Sequence, residues 1–109
     1  MINYAFGDVL IINFPFTDGT KSKRRPVFVI KDTDDGDILV AKITSKIYST
    51  PYDCFIREWS YANLLNESIV RVHKIQTIHS NLVFGKIGTL NTSDKKDVRH
   101  ALIELLLKL

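Results

Sequence analysis

The chain has 109 residues, of which 45% are hydrophobic and 25% charged, with a formal net charge of +3. Those proportions belong to one folded domain, residues 1–109, and exclude a disordered polar chain. No apolar run approaches the ~20 residues of a membrane-spanning helix, and Cys54, the sole cysteine, excludes an internal disulfide and a multi-cysteine metal site. The N-terminus interrupts its apolar residues with Asn3 and Asp8, unlike a signal peptide, so a reducing cytoplasmic setting is expected.

Val9-Leu10-Ile11-Ile12-Asn13-Phe14 is rich in β-branched and bulky residues, which predicts a first strand over residues 8–14. Pro15 donates no ladder hydrogen bond, so a loop is expected over 15–24. Within it and just beyond, Lys21-Ser22-Lys23-Arg24-Arg25 carries four positive charges and no negative one. Such a segment could hold a phosphate or carboxylate, since the arginine fork makes two hydrogen bonds to either and stays charged. It could also be a solvated charge run. A second strand is expected from Pro26 to Lys31. Asp35-Gly36 marks a hairpin to a third strand, Asp37 to Thr44, whose unbroken apolar centre suggests burial on both faces. The hairpin lies in an acidic stretch, residues 32–37, with four carboxylates.

Asp53–Ile56 reads as a fourth strand, 59–66 as loop and Ser68–Val72 as a fifth strand. Thr77–Leu82 is expected to be a turn or a single helical turn, and Phe84–Leu90 a final strand. Val98, Ala101, Leu102, Leu105, Leu106 and Leu109 then recur at spacings of three and four, the period of an amphipathic helix. Thr92 or Ser93 is the expected cap and Asp94 sits well in the first turn. The fold class expected is mainly β: a small barrel of five to six strands with a C-terminal α-helix.

Several segments together resemble the PemK/MazF family of bacterial toxins, the endoribonuclease half of type II toxin–antitoxin pairs. They are Gly7-Asp8-Val9-Leu10 with Phe14-Pro15-Phe16, Lys23-Arg24-Arg25-Pro26-Val27, Ala41-Lys42-Ile43-Thr44-Ser45, and Ser68-Ile69-Val70-Arg71-Val72 followed by Thr77-Ile78. An arginine-arginine-proline triplet alone is common; the order and spacing of these segments is more specific. The resemblance implies an SH3-like barrel that forms a homodimer. It further implies metal-independent cleavage of single-stranded RNA, with no cofactor, and neutralisation by a cognate antitoxin whose disordered segment occupies the RNA groove.

By that similarity the catalytic pair is Arg25 and Thr44. Arg25, too basic to accept a proton at neutral pH, is expected to stabilise phosphoryl charge, and Thr44 to orient the scissile phosphate. The bland alternative for Arg25 is an ion pair with the acidic stretch. Arg71 and His73 form a second candidate catalytic group: they alternate, so they share a strand face. Arg71 is expected to position the phosphate alongside Thr44, and His73 to be either a proton-transfer group or a structural or merely exposed residue. Some family members carry an aspartate where this chain has His73, so a proton-transfer role for that position must rest on the imidazole itself, which titrates near neutrality. Lys21, Lys23, Arg24 and Ser45 are candidate RNA contacts. Trp59 and Tyr61, like Tyr48 and Tyr52, could stack on bases or pack against a partner subunit. His79 and His100 lack neighbours at ligand spacing, so no metal site is expected. The competing functions are a catalytically silent RNA- or protein-binding barrel, and an adaptor for proline-rich peptides, which would need an aromatic groove.

Overall fold

The computed structural model describes residues 3–15 and 22–109. Six strands form a single antiparallel sheet: β1 (Asp8–Pro15), β2 (Ser22–Asp32), β3 (Asp37–Thr44), β4 (Asp53–Phe55), β5 (Ile69–His79) and β6 (Val83–Thr89). The strand order is β4-β5-β3-β2-β1-β6, and a helix, α1 (Thr92–Leu107), packs on β5 and β4. The mainly-β class with a terminal helix is as expected. Closure is not: β4 and β6 end the sheet without pairing to each other among the described residues, so the barrel is an open sheet.

Apolar residues cover both faces, as continuous rather than alternating runs require. Val9, Phe28, Ala41, Ile43, Val70 and Val72 build the face that meets Val98 and Leu102 of α1. Leu10, Ile12, Val27, Val29, Ile38 and Val40 build the other. Phe28 is fully buried and meets Phe6 edge-on, with ring centres 5.0 Å apart.

Two expected loops are strand. β1 runs on to Pro15, which pairs with Ser22, so residues 22–24 belong to β2; Lys21 and the rest of the 15–24 loop lie outside the described residues. Pro26 is tolerated because pairing of β2 with β3 begins only at Val27, leaving the earlier part of β2 with β1 as its one recorded neighbour. β5 extends seven residues past Val72, to His79, where a turn was expected from Thr77; only Ser80–Leu82 forms the single helical turn. Its register explains the misreading. Ala41 pairs with Ile75 but Lys42 pairs with Arg71, so Val72, His73 and Lys74 have no partner in β3. A bulge of this kind breaks the period by which a strand is recognised.

The hairpin signal at Asp35-Gly36 is correct, although the turn uses two left-handed residues, Asp34 (φ 60°) and Gly36 (φ 92°). The α1 cap is Asn91, whose Oδ1 accepts from Asp94 N–H at 2.8 Å, one residue before the expected Thr92 or Ser93. Asp94 itself is buried and accepts the backbone N–H groups of Arg57 and Glu58 at 3.1 and 2.9 Å. It thereby ties the 57–66 loop to the start of α1. The apolar stripe of α1 fades toward its end: Val98 and Leu102 are buried, while Leu106 and Leu109 are exposed.

Candidate functional site

Arg25 and Thr44 are 19 positions apart in sequence, yet the β2–β3 ladder brings them together. Continuing the Val27–Lys42 register by two residues sets Arg25 opposite Thr44. Both line a cavity of about 430 Å³, along with Arg24, Ser45, Asn63 and Asn66. That size lies in the ~300–1,000 Å³ range typical of ligand pockets. Thr44 Oγ1 accepts a hydrogen bond from Lys46 N–H at 3.1 Å. The hydroxyl is thus held in place with its proton free to be donated. The Arg24 guanidinium lies 3.6 Å above the centre of the exposed Phe84 ring, which fixes that side chain near the same opening.

The acidic stretch does not compete for Arg25. Asp32 accepts the N–H groups of Tyr4 and Asp34, and Asp35 accepts from Thr33 Oγ1 and Asp37 N–H. These carboxylates build the hairpin turn, and among the described residues none pairs with Arg25.

A second cavity, about 460 Å³, adjoins the first and shares Arg25, Pro26 and Ile43 with it. Its charged residues are Arg25, Lys42 and Lys74, joined by His73 and Gln76; no carboxylate lines it. The β5 bulge delivers His73 and Lys74 to this place. Val72, between Arg71 and His73, is buried in the core, and of the two flanking residues only His73 lines this cavity. His73 stands beside Tyr52, ring centres 5.3 Å apart, and its Nδ1 is buried without a hydrogen-bond partner among the described residues. Burial first, then the positive charges of Arg71 and Lys74, hold the imidazole below its usual 6.5, against a smaller opposing pull from Asp53. His73 is therefore neutral at pH 7, the state in which it can accept a proton.

Arg71 is occupied elsewhere. Its Nε donates to Asp53 Oδ1 at 2.9 Å, its guanidinium stacks on Tyr48 at 3.7 Å, and it lines neither cavity. Lys23 is exposed on β2 and lines neither cavity as well. Trp59 is half-buried against the core, its carbonyl accepting the N–H groups of Ala62 and Leu64, whereas Tyr61 is 66% exposed. Cys54 packs beside the core. Burial, then Asp97, Asp53 and Asp94, pushes its thiol up to about 11. No cluster of three or more metal-ligating side chains occurs among the described residues, and no described helix is long and apolar enough to cross a membrane. Six polar lining residues escaped the sequence reading: Lys42, Asn63, Asn66, Ser68, Lys74 and Gln76. Only Lys42 carried a signal, its spacing of two from Thr44 on one strand.

The fold is an open antiparallel sheet with a capping helix, and the residues lining its two cavities between β2, β3 and β5 include cations and no carboxylate. Residues 5–106 match the model of the PemK-like, MazF-like toxins of type II toxin–antitoxin systems, and the chain belongs to that family. Its structure is similar to that of MazE-MazF (Form II) from Deinococcus radiodurans, with a TM-score of 0.80, 16% identity and full coverage of both chains. It is also similar to an endoribonuclease in complex with its cognate antitoxin from a mycobacterial species, with a TM-score of 0.77, 13% identity and 94% of each chain covered. A third similar structure is the Mycobacterium tuberculosis toxin MazF-mt6, with a TM-score of 0.73, 20% identity, and 91% of this chain and 95% of that chain covered. Comparison with curated proteins by sequence finds no match.

Proposed function

We propose that this toxin-family protein is a sequence-specific, metal-independent endoribonuclease for single-stranded RNA. The observation that supports it most is the shared cavity of Arg25 and Thr44, with His73 lining the adjoining cavity that the same arginine lines. The ribose 2′-oxygen attacks the adjacent phosphorus and the bond to the 5′-oxygen breaks, leaving a 2′,3′-cyclic phosphate and a 5′-hydroxyl. Arg25 holds two phosphoryl oxygens as negative charge grows on them. The Thr44 hydroxyl, anchored by Lys46 N–H, donates to the same phosphate. His73 accepts the 2′-hydroxyl proton, and the departing 5′-oxygen takes one from solvent. Arg71 acts through His73, keeping it neutral by its positive field rather than touching the phosphate.

The RNA groove also suits an antitoxin. An acidic, disordered segment laid over Arg24 and Arg25 would mimic the phosphates and be drawn in by charge. Two copies of the chain, as in the homodimer that the sequence resemblance implies, would lengthen that groove. Labelled single-stranded RNA incubated with the protein in excess chelator tests the reading. Fragments ending in cyclic phosphate and 5′-hydroxyl are expected; retention of intact RNA on the protein would mark a binding module instead.

A further inference from the structure

The two cavities that meet at Arg25 differ in chemistry. On the β5 side, Arg25, Lys42 and Lys74 supply three cations. On the loop side, apart from Arg24 and Arg25, the polar lining residues are neutral: Thr44, Ser45 and Ser68 with hydroxyls, and Asn63 and Asn66 with amides. Point charges without geometry suit phosphates, whereas paired donor and acceptor groups beside apolar surface suit base edges.

The two asparagines are not equivalent. Asn63, in a left-handed conformation with φ 63°, spends its amide on the Ile87 carbonyl at 2.7 Å. Asn66 is exposed, and its backbone carbonyl is fixed by the buried Ser68 Oγ, which donates to it at 2.9 Å. Among the described residues its side-chain amide has no partner, so a donor and an acceptor stand free on an anchored backbone. Leu65 beside it is 89% exposed and lines the same cavity, which adds an apolar surface to it.

We propose that the loop-side cavity is a base-reading subsite next to the scissile phosphate, with Asn66 the specificity-determining residue and Leu65 the surface on which the base lies, while Lys42 and Lys74 hold the neighbouring backbone phosphate. This rests on the endoribonuclease reading above. A free amide facing one base edge makes two directed hydrogen bonds, and a base that cannot match them leaves a donor or acceptor unpaired.

The test uses the full chain and a random single-stranded RNA library in chelator, with cleaved ends and protein-retained RNA both sequenced. In Asn66→Ala the preference at one nucleotide position beside the cut is expected to fall by about tenfold to a hundredfold. Lys42→Ala and Lys74→Ala are expected instead to weaken binding to all sequences alike and to flatten its dependence on salt. Circular dichroism and thermal melting check that each variant folds, and Asn66→Asp, which replaces the amide donor by an acceptor, provides a second readout by altering the favoured base. An unchanged preference in both Asn66 variants overturns the subsite while leaving the nuclease intact. A wild-type chain that neither cuts nor retains RNA overturns the nuclease reading and the subsite with it.

Discussion

Arg71 Nε stands 2.9 Å from Asp53 Oδ1 across the β4–β5 ladder, with the two side chains only 12% and 2% exposed. Asp53 is further held by the N–H and hydroxyl of Thr50. Burial pushes its carboxyl up, but the Thr50 and Arg71 hydrogen bonds outweigh this and leave it below the usual carboxylate value. The unfolded chain therefore takes up this proton first as the pH falls. Stability from the pair is present above the ordinary carboxylate pKa and is lost as the pH drops through the lower folded value. Asp53→Ala should cost about 3 kcal/mol at pH 7, because it strands a buried guanidinium. Urea unfolding at pH 7 and in acid should show a smaller loss between the two conditions than the native chain does.

Arg25→Ala should lower cleavage of single-stranded RNA by about a hundredfold or more, the usual consequence of removing a donor to a developing oxyanion. The residue is exposed, so its loss should change stability by less than about 0.5 kcal/mol. Single-turnover cleavage beside a thermal melt checks both halves. Full activity in the variant would remove Arg25 from the reaction.

The pH profile isolates His73. Its pKa lies below 6.5, so activity should hold through neutrality and fall on an acidic limb as the imidazole is protonated. His73→Gln should be slow and lack that limb. Arg71→Gln should move the limb to higher pH, since a positive charge that opposes protonation has gone. A limb that survives in His73→Gln belongs to another group.

Gly88 is where β6 meets the 59–66 loop. A Cβ there would lie 2.5 Å from the Ala62 carbonyl oxygen, which is backbone and cannot rotate away. Gly88→Ala should therefore cost about 1–3 kcal/mol and shift the loop that bears Asn63 and Asn66. Steady-state cleavage should show KM rising more than kcat falls, with the melting temperature lowered.

The elements legible in the sequence were those whose ends and interiors agreed. β3 begins at Asp37 and ends at Thr44 as expected, because the acidic turn, the apolar centre and Thr44-Ser45 all point the same way. The far half of β5 is hidden in the sequence because His73-Lys74-Ile75-Gln76-Thr77 has little apolar character of its own; pairing of Ile75 to His79 with β3 makes it a strand. The cap moved to Asn91 because three successive residues can all cap, and the choice depends on where β6 stops. In the site, the Arg25–Thr44 convergence depends on the hairpin that Asp35-Gly36 announces and also on a one-residue bulge between Val29 and Lys31, which no local pattern announces. The partner of Arg71 does not: Asp53 lies 18 positions away on another strand, and no local pattern links them.

The bulge at residues 72–74 separates architecture from chemistry. None of the three has a partner in β3 and only Val72 is buried in the core, so the side chains of His73 and Lys74 can be exchanged while the flanking register stays put. Position 73 can therefore change its side chain without disturbing the β3–β5 ladder on either side.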